Sequence, residues 1–226
     1  MDWSARCAVV IPCLNEAGTI ASIVAQCRRR LPTVFVIDDG SSDDTAREAD
    51  QAGARVLRHD RPRGKGVALE FGWGAAHQAG FAWAMTLDGD GQHSPNDIPI
   101  FLTHASATEA KLVIGNRMAS AARMPFVRRL VNRWVSRQLS KAAGKEFPDA
   151  LCGFRLVNLP AWSGMKLRTK NFEVESELLM AFHDAGHAID FIPVQLLYQD
   201  ERSKIHPVRD TVRWLRWYRG RGRRDA

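Results

Sequence analysis

The feature that most constrains this chain is an alternation in its first half. Short β-branched runs take turns with helical stretches, and the runs end in polar loops. Cys7–Ile11, Val34–Ile37, Ala54–Leu57 and Ala82–Leu87 read as strands. Between them, Ala17–Arg30, Asp43–Gln51 and Gly66–Ala79 read as helices; Ile20, Ile23, Val24 and Cys27 recur at helical spacing, and Ser41 or Ser42 is placed to cap the second. Strand–helix–strand repetition implies an α/β chain with a mostly parallel central sheet and helices on both faces. The second half is less regular. Lys111–Ile114, Phe154–Val157 and Phe191–Leu197 suggest strands, and Pro125–Ala143 and Phe172–Ala185 suggest helices. No linker or internal repeat interrupts it, so one domain is expected over residues 1–212, followed by a basic Trp/Arg-rich tail, 213–226.

Parallel sheets bind ligands at the carboxyl ends of their strands. Three loops there are unusually polar: Pro12–Glu16, Asp38–Thr45 and Asp88–His93. In the second loop, helix capping accounts for Ser42, Asp43 and Asp44. It leaves Asp38 and Asp39, two adjacent carboxylates able to accept from a nucleobase N–H or a ribose hydroxyl. The third loop, Asp88-Gly89-Asp90-Gly91-Gln92-His93, places oxygen ligands at alternate positions on a Gly-containing turn, which suits a hard divalent cation. An EF-hand would need Gly and Glu where His93 and Pro99 stand. A haloacid-type phosphatase loop would lie near the N-terminus and carry Thr or Val in place of Gln92. A structural Asp/Gly turn and a cation bridging a nucleotide diphosphate stay open. Arg63-Gly64-Lys65-Gly66 opens the next helix, where backbone N–H groups and Lys65 favour an anion.

Taken together, the loops resemble family-2 glycosyltransferases, in particular the polyprenol-phosphate (dolichol-phosphate) mannosyl and glucosyl synthases. The matching stretches are Ile11-Pro12-Cys13-Leu14-Asn15-Glu16-Ala17, Asp38 to Thr45, Gly64-Lys65-Gly66-Val67-Ala68 and Asp88 to His93. Gly115-Asn116-Arg117, Asp149 to Arg155 and Arg202-Ser203-Lys204 continue the match. The resemblance implies a GT-A fold and a nucleotide-sugar donor, a GDP- or UDP-hexose. It places Pro12, Asn15, Glu16, Asp38, Asp39, Lys65 and Asp88 at the nucleotide sugar. Asp88, Asp90 and Gln92 would hold Mg²⁺ or Mn²⁺ against the diphosphate. Arg117 would meet an acceptor phosphate, Arg202 would screen phosphate charge, and Ser203 and Lys204 would lie at the acceptor. Asp149 lies in a loop that faces the acceptor in such enzymes. Two departures stand out: Cys13-Leu14 replaces the usual aromatic, and Asn132 replaces a Ser of the acceptor helix.

In an inverting displacement a phosphate acceptor is already ionised, whereas a hydroxyl needs a carboxylate to take its proton. Asp149 is the candidate for that base. Transfer to a hydroxyl of another lipid or glycan is the alternative within the class.

Net charge is +7, but its distribution matters more. Residues 117–145 and 202–224 each carry a net +8, which leaves the remainder at −9. Two local basic stretches with interleaved Trp suit an anionic membrane surface. Along Pro125–Ala143, Phe126, Leu130 and Trp134 form one row and Arg129, Arg133, Arg137 and Lys141 another. Val208–Tyr218 repeats the theme with Trp214 and Trp217. Arg129, Arg133 and Trp134 are therefore expected to contact a lipid acceptor or anionic headgroups. A nucleic-acid binder using the Arg/Trp tail is the reading from another class; nucleic acid is not expected. The longest uncharged stretch, Phe71–Leu87, holds three Gly with His77 and Gln78 and makes a poor membrane span. No secretory signal or C-terminal pair of spans is visible. The expected location is cytoplasmic, peripheral to the inner face of the membrane. The four cysteines fit a reduced compartment. His183-Asp184-Ala185-Gly186-His187 lacks the Glu of a zinc-protease motif and reads as a helix end. His93 is expected to hydrogen-bond its own loop, and Glu175 is a weaker candidate near the sugar.

Overall fold

The computed structural model describes residues 2–118, 124–197 and 207–221. Its strands are β1 (Cys7–Cys13), β2 (Val34–Asp38), β3 (Arg55–Arg58), β4 (Trp83–Thr86), β5 (Leu112–Asn116), β6 (Arg155–Asn158) and β7 (Ile189–Pro193). They form one sheet in the order β3-β2-β1-β4-β6-β5-β7. β1, β2, β3 and β4 run parallel, as do β5 and β7; β6 runs antiparallel to both neighbours. The parallel strands β1 and β2 are buried along their whole length, as expected for strands covered on both faces.

The helices are α1 (Ile20–Arg28), α2 (Thr45–Gln51), α3 (Lys65–Gln78), α4 (Ile98–Ala107), α5 (Phe126–Ala143), α6 (Leu159–Ser163), α7 (Val174–Asp184) and α8 (Pro207–Arg221). Most expected elements occur within a few residues of their sequence limits. Ala17–Thr19 form a turn before α1, with Thr19 and Ile20 donating to the Glu16 carbonyl. Neither Ser41 nor Ser42 caps α2: Asp44 stands at its N-cap without a side-chain cap bond, and the preceding Asp43 carboxylate accepts from the Thr45 N–H at 3.0 Å. β7 stops at Pro193, and Leu196 makes only an isolated bridge to His93. α4 has no counterpart among the helices expected from sequence. Its residues are nearly all apolar or small, so no amphipathic period marks it.

The reversal of β6 changes which loops meet. An antiparallel strand presents its start, not its end, at the carboxyl edge of the parallel strands. The loop preceding β6, residues 149–154, therefore joins the loops after β1, β2, β4 and β5 on one edge. α3 lies close on the sheet: a Cβ on Gly72 would stand 2.5 Å from Val10 Cγ1. The Trp73 indole donates to Thr86 Oγ1 at 2.9 Å, satisfying both groups in the core.

Candidate active site

At that edge opens a cavity of about 900 Å³. One side is polar, lined by Pro12, Asn15, Glu16, Asp39, Lys65, Asp88 and Asp90. The other is walled by the apolar Val127, Val131, Trp134 and Val135 of α5 and by α8, which adds Trp214 beside the charged Arg209, Asp210 and Arg213.

The polar side is built on backbone anchors. Asn15 takes a left-handed φ of 54°. Its N–H donates to Ser41 Oγ at 2.9 Å and that of Glu16 to Thr45 Oγ1 at 2.7 Å, tying the loop after β1 to the loop after β2. The two adjacent aspartates diverge. Asp38 is fully buried and does not line the cavity. Its carboxylate accepts from the Ser41 N–H at 2.8 Å and pairs with Arg58 at 3.1 Å. The expectation that Asp38 contacts the nucleotide is thus corrected: it braces its own turn. Asp39 faces the cavity. It pairs with His59 Nδ1 at 2.7 Å and accepts from the N–H groups of Arg63 at 2.9 Å and Gly64 at 2.8 Å. A carboxylate has roughly four acceptor sites, so one is left for a ligand. Gly64, at φ 103°, is required here, since a Cβ would stand 2.2 Å from the Lys170 carbonyl.

The Asp88–His93 loop forms the floor. Lys65, the first residue of α3, extends its Nζ to 2.6 Å from Asp88 Oδ1 and 2.6 Å from Glu175 Oε1. Burial opposes its charge, yet the two carboxylates hold the ammonium well above the usual lysine range. Burial works against the Asp88 carboxylate too, but Lys65 and His93 keep it below its ordinary value. Among the described residues Asp90 has no ion pair; the Gln92 N–H donates to its Oδ1 at 3.1 Å and Lys65 lies near, but burial and then the negative charge of Asp88 push it up to about 6. Two crowded carboxylates, one of them destabilised, are a donor set that a divalent cation would relieve. Among the described residues no cluster of three or more His, Cys, Asp or Glu forms a complete cage. The Gln92 side chain lines the cavity and accepts from Arg128 in a long, 3.5 Å contact.

His93 departs from expectation. Its ring stays buried against Phe154, with Nδ1 unpartnered and Nε2 4.0 Å from Asp88, and burial lowers it to about 4. The loop is held instead by backbone, Leu197 N–H donating to the Gln92 carbonyl at 3.0 Å.

Asp149 is the second correction. It is fully buried and outside the cavity lining. Arg117 grips it through Nε and Nη2, each at 2.8 Å, and through its backbone N–H at 2.9 Å; Asn132 Nδ2 adds a bond at 2.7 Å. Burial is outweighed by Arg117, and the carboxyl stays below its usual range. A saturated, stabilised carboxylate is a poor base. Asp149 orients Arg117, which does line the cavity, and Asn132 completes that arrangement.

Three further residues build the site without having been singled out by their sequence pattern. Arg155 is buried and donates to the carbonyls of Cys152 at 2.7 Å, Glu175 at 2.6 Å and Ala150 at 2.8 Å. It ties the 149–154 loop to α7. Gly153 lies against the Asp88–His93 loop: a Cβ would stand 2.5 Å from Asp88 Oδ2. Glu173 is almost buried on the cavity wall, with Oε2 unpartnered and its carboxyl raised by burial. Arg155 and Gly153 stand in a recognised motif, but only the antiparallel return of β6 shows what they touch.

On the apolar side, Phe126, Val127, Leu130 and Trp134 are exposed, at 68, 60, 58 and 39%. Trp134 lines the cavity. Arg129 and Arg133 do not, and Arg129 lies over the Phe126 ring. α8 is continuous across the boundary expected at 212/213. Trp214 is spent inside the protein: it is buried, meets Trp134 and Tyr218, and donates to Ser176 Oγ at 2.9 Å. This corrects its expected place at headgroup depth. Arg202, Ser203 and Lys204 lie outside the described residues.

The family model described as Glycosyl transferase family 2 matches residues 8–161. The glycosyltransferase AglJ of Haloferax volcanii is 30% identical over 208 residues, covering 89% of this chain and 67% of that one. The UDP-N-acetylglucosamine–dolichyl-phosphate N-acetylglucosaminyltransferase of Methanococcus voltae is 24% identical, covering 85% and 86%. The undecaprenyl-phosphate mannosyltransferase of Micrococcus luteus is 29% identical over 163 residues, covering 69% and 64%. Among solved structures, the glucosyl-3-phosphoglycerate synthase of Mycobacterium tuberculosis superposes with a TM-score of 0.73 at 23% identity, covering 96% of this chain and 81% of that one. The same enzyme has been crystallised with Mn²⁺, uridine diphosphate and phosphoglyceric acid.

Proposed function

This chain belongs to glycosyl transferase family 2 and has the GT-A fold; on that basis we propose that it moves a hexose from a nucleotide sugar to polyprenyl phosphate at a membrane surface. The observation that carries this reading is the two-sided cavity. Its floor holds the Asp88–Asp90 pair and Lys65, and its far wall joins apolar side chains of α5 and Trp214 to the charged Arg209, Asp210 and Arg213 of α8.

On the donor side, Asp39 offers an acceptor to the base or ribose, beside Pro12, Asn15 and Glu16. Asp88 and Asp90 are the residues that would hold Mg²⁺ or Mn²⁺, with Gln92 beside them. When bound, that ion neutralises the charge growing on the departing nucleoside diphosphate. Lys65 adds a second positive charge beside the same carboxylates. Arg117, fixed in one orientation by Asp149, presents a preorganised cation where an acceptor phosphate would approach. With Asp149 committed to Arg117, an acceptor that arrives ionised is favoured over a hydroxyl that must lose a proton.

On the acceptor side, the exposed apolar ridge of α5 lies beside Arg129, Arg133 and Arg137, a combination suited to the headgroup boundary of an anionic membrane. No helix of the described residues is long and apolar enough to cross one. Relatives that act on dolichyl or undecaprenyl phosphate support the choice of acceptor.

Thermal melts with GDP or UDP, with and without Mn²⁺, test the donor site. One nucleotide should stabilise the protein in a metal-dependent way, and Asp90→Ala should abolish the effect. Radiolabelled sugar should then pass to polyprenyl phosphate and not to the matching free polyprenol. Transfer to the alcohol alone would overturn the acceptor assignment.

A further inference from the structure

We propose that Lys65 is the protein's own stand-in cation: its ammonium neutralises Asp88 and Glu175 until metal ion and nucleoside diphosphate arrive together, and this exchange couples their binding. The proposal rests on the proposed function of the same site and adds to it an order of loading.

Three observations carry it. First, Lys65 Nζ bridges two carboxylates on different elements, 2.6 Å from each, with its side chain 13% exposed. Among the described residues, the only other basic contact to either carboxylate is His93, at 4.0 Å from Asp88. Second, the backbone that carries Lys65 is clamped on both sides. Asp39 accepts from the N–H groups of Arg63 and Gly64, and the Lys170 carbonyl accepts from Gly66 N–H at 2.9 Å. Any rearrangement therefore belongs to the flexible side chain. Third, the surroundings are anionic and partly unsatisfied: Asp90 lies nearby, and Glu173 and Glu175 each keep one buried carboxylate oxygen without a donor.

A divalent cation arriving alone must share Asp88 with an ammonium a few ångströms away or displace it against its attraction to that carboxylate. Either course weakens binding. A diphosphate changes the balance, because it offers the ammonium a new anionic partner while supplying oxygens to the metal. Each ligand then favours the other, and by linkage the coupling is mutual. Removing the ammonium should act on the two ligands in opposite directions, a signature that general damage to the site would not produce.

The test measures Mn²⁺ binding without nucleotide, by the electron paramagnetic resonance signal of the free ion, in wild type, Lys65→Met and Lys65→Arg. Near-ultraviolet circular dichroism checks the fold, with Lys65→Gln in reserve. Lys65→Met should bind Mn²⁺ alone roughly tenfold tighter than wild type, and its affinity for UDP or GDP in saturating Mn²⁺ should fall by a similar factor. Lys65→Arg should keep the weak metal binding of wild type. In wild type labelled with ¹⁵N-lysine, the Lys65 Nζ resonance should stay in place with Mg²⁺ alone and move when nucleotide is added. Unchanged or weaker Mn²⁺ binding by Lys65→Met, or a shift with Mg²⁺ alone, overturns the proposal and leaves the proposed function standing. If wild type binds neither ligand when both are supplied, the proposed function falls, and this inference with it.

Discussion

Asp90 carries a negative charge that the ligand-free protein does not balance. Its carboxyl is raised to about 6, against an ordinary value of 3.8, so the folded state binds that proton more tightly than the unfolded chain. Stability should therefore fall as pH rises from about 4 to about 6. Asp90→Asn removes the effect. At pH 7.5, without ligands, it should melt higher than wild type by an amount worth on the order of 1–2 kcal/mol. The two proteins should converge below pH 4, and the variant should lose metal-dependent nucleotide binding. An unchanged melting temperature at pH 7.5 would count against the strained pair. Asp149 should behave in the opposite way. Asp149→Ala leaves Arg117, largely enclosed at the cavity wall, without its partner and should cost about 2–3 kcal/mol in urea unfolding. Arg117→Met with Asp149→Leu should recover much of that stability and none of the activity. Gly153→Ala pushes a methyl group into Asp88 and should weaken Mn²⁺ binding in the presence of nucleotide by roughly tenfold, with the fold kept.

At the scale of the element, α5 and α8 divide the apolar surface between them. α5 keeps Phe126, Val127 and Leu130 outward while Val135 and Leu139 pack inward. α8 turns Trp214 onto α5 and α7, and Tyr218 Oη donates to the Gln138 carbonyl at 3.2 Å. Substitution of the outward row, Leu130→Glu with Phe126→Glu, should remove sedimentation with anionic vesicles and leave the melting temperature almost unchanged. Trp214→Ala should do the reverse: it should cost about 3–5 kcal/mol and spare vesicle binding in whatever fraction stays folded. Helical period marks both segments in the sequence as amphipathic and basic. Period cannot say what covers an apolar face, because a membrane and another helix ask for the same residues. That is why Trp134 and Trp214 look alike in sequence and have different surroundings, one at the cavity mouth and one in the core.

At the scale of the whole molecule, the parallel half of the sheet was legible because short, largely apolar runs alternate with helical stretches and most end in polar loops. Pro12, Asn15, Glu16, Asp39, Lys65, Asp88 and Asp90 gather on one cavity wall for that reason. The reversal of β6 was not legible, since strand direction leaves no trace in a four-residue strand, Arg-Leu-Val-Asn. With it went the meaning of Asp149, Gly153 and Arg155, which depend on a loop arriving from the far side. Asp38 misled for a related cause: adjacent carboxylates at a strand end point to opposite sides of the pleat, so only one can face a ligand.

The cavity takes most of its polar wall from the first half of the chain, with Glu173 and Glu175 added from the second, and its other wall from α5 and α8. Those helices touch the nucleotide loops through few side chains, Arg128 to Gln92 among them. On the proposed reading, a change in the lipid part of the acceptor would proceed by redrawing α5 and α8, with Arg117 kept for its phosphate and the leaving-group chemistry inherited intact. Exchange of both helices for those of a relative with a different acceptor should carry the acceptor preference across and leave the preferred nucleotide as it was.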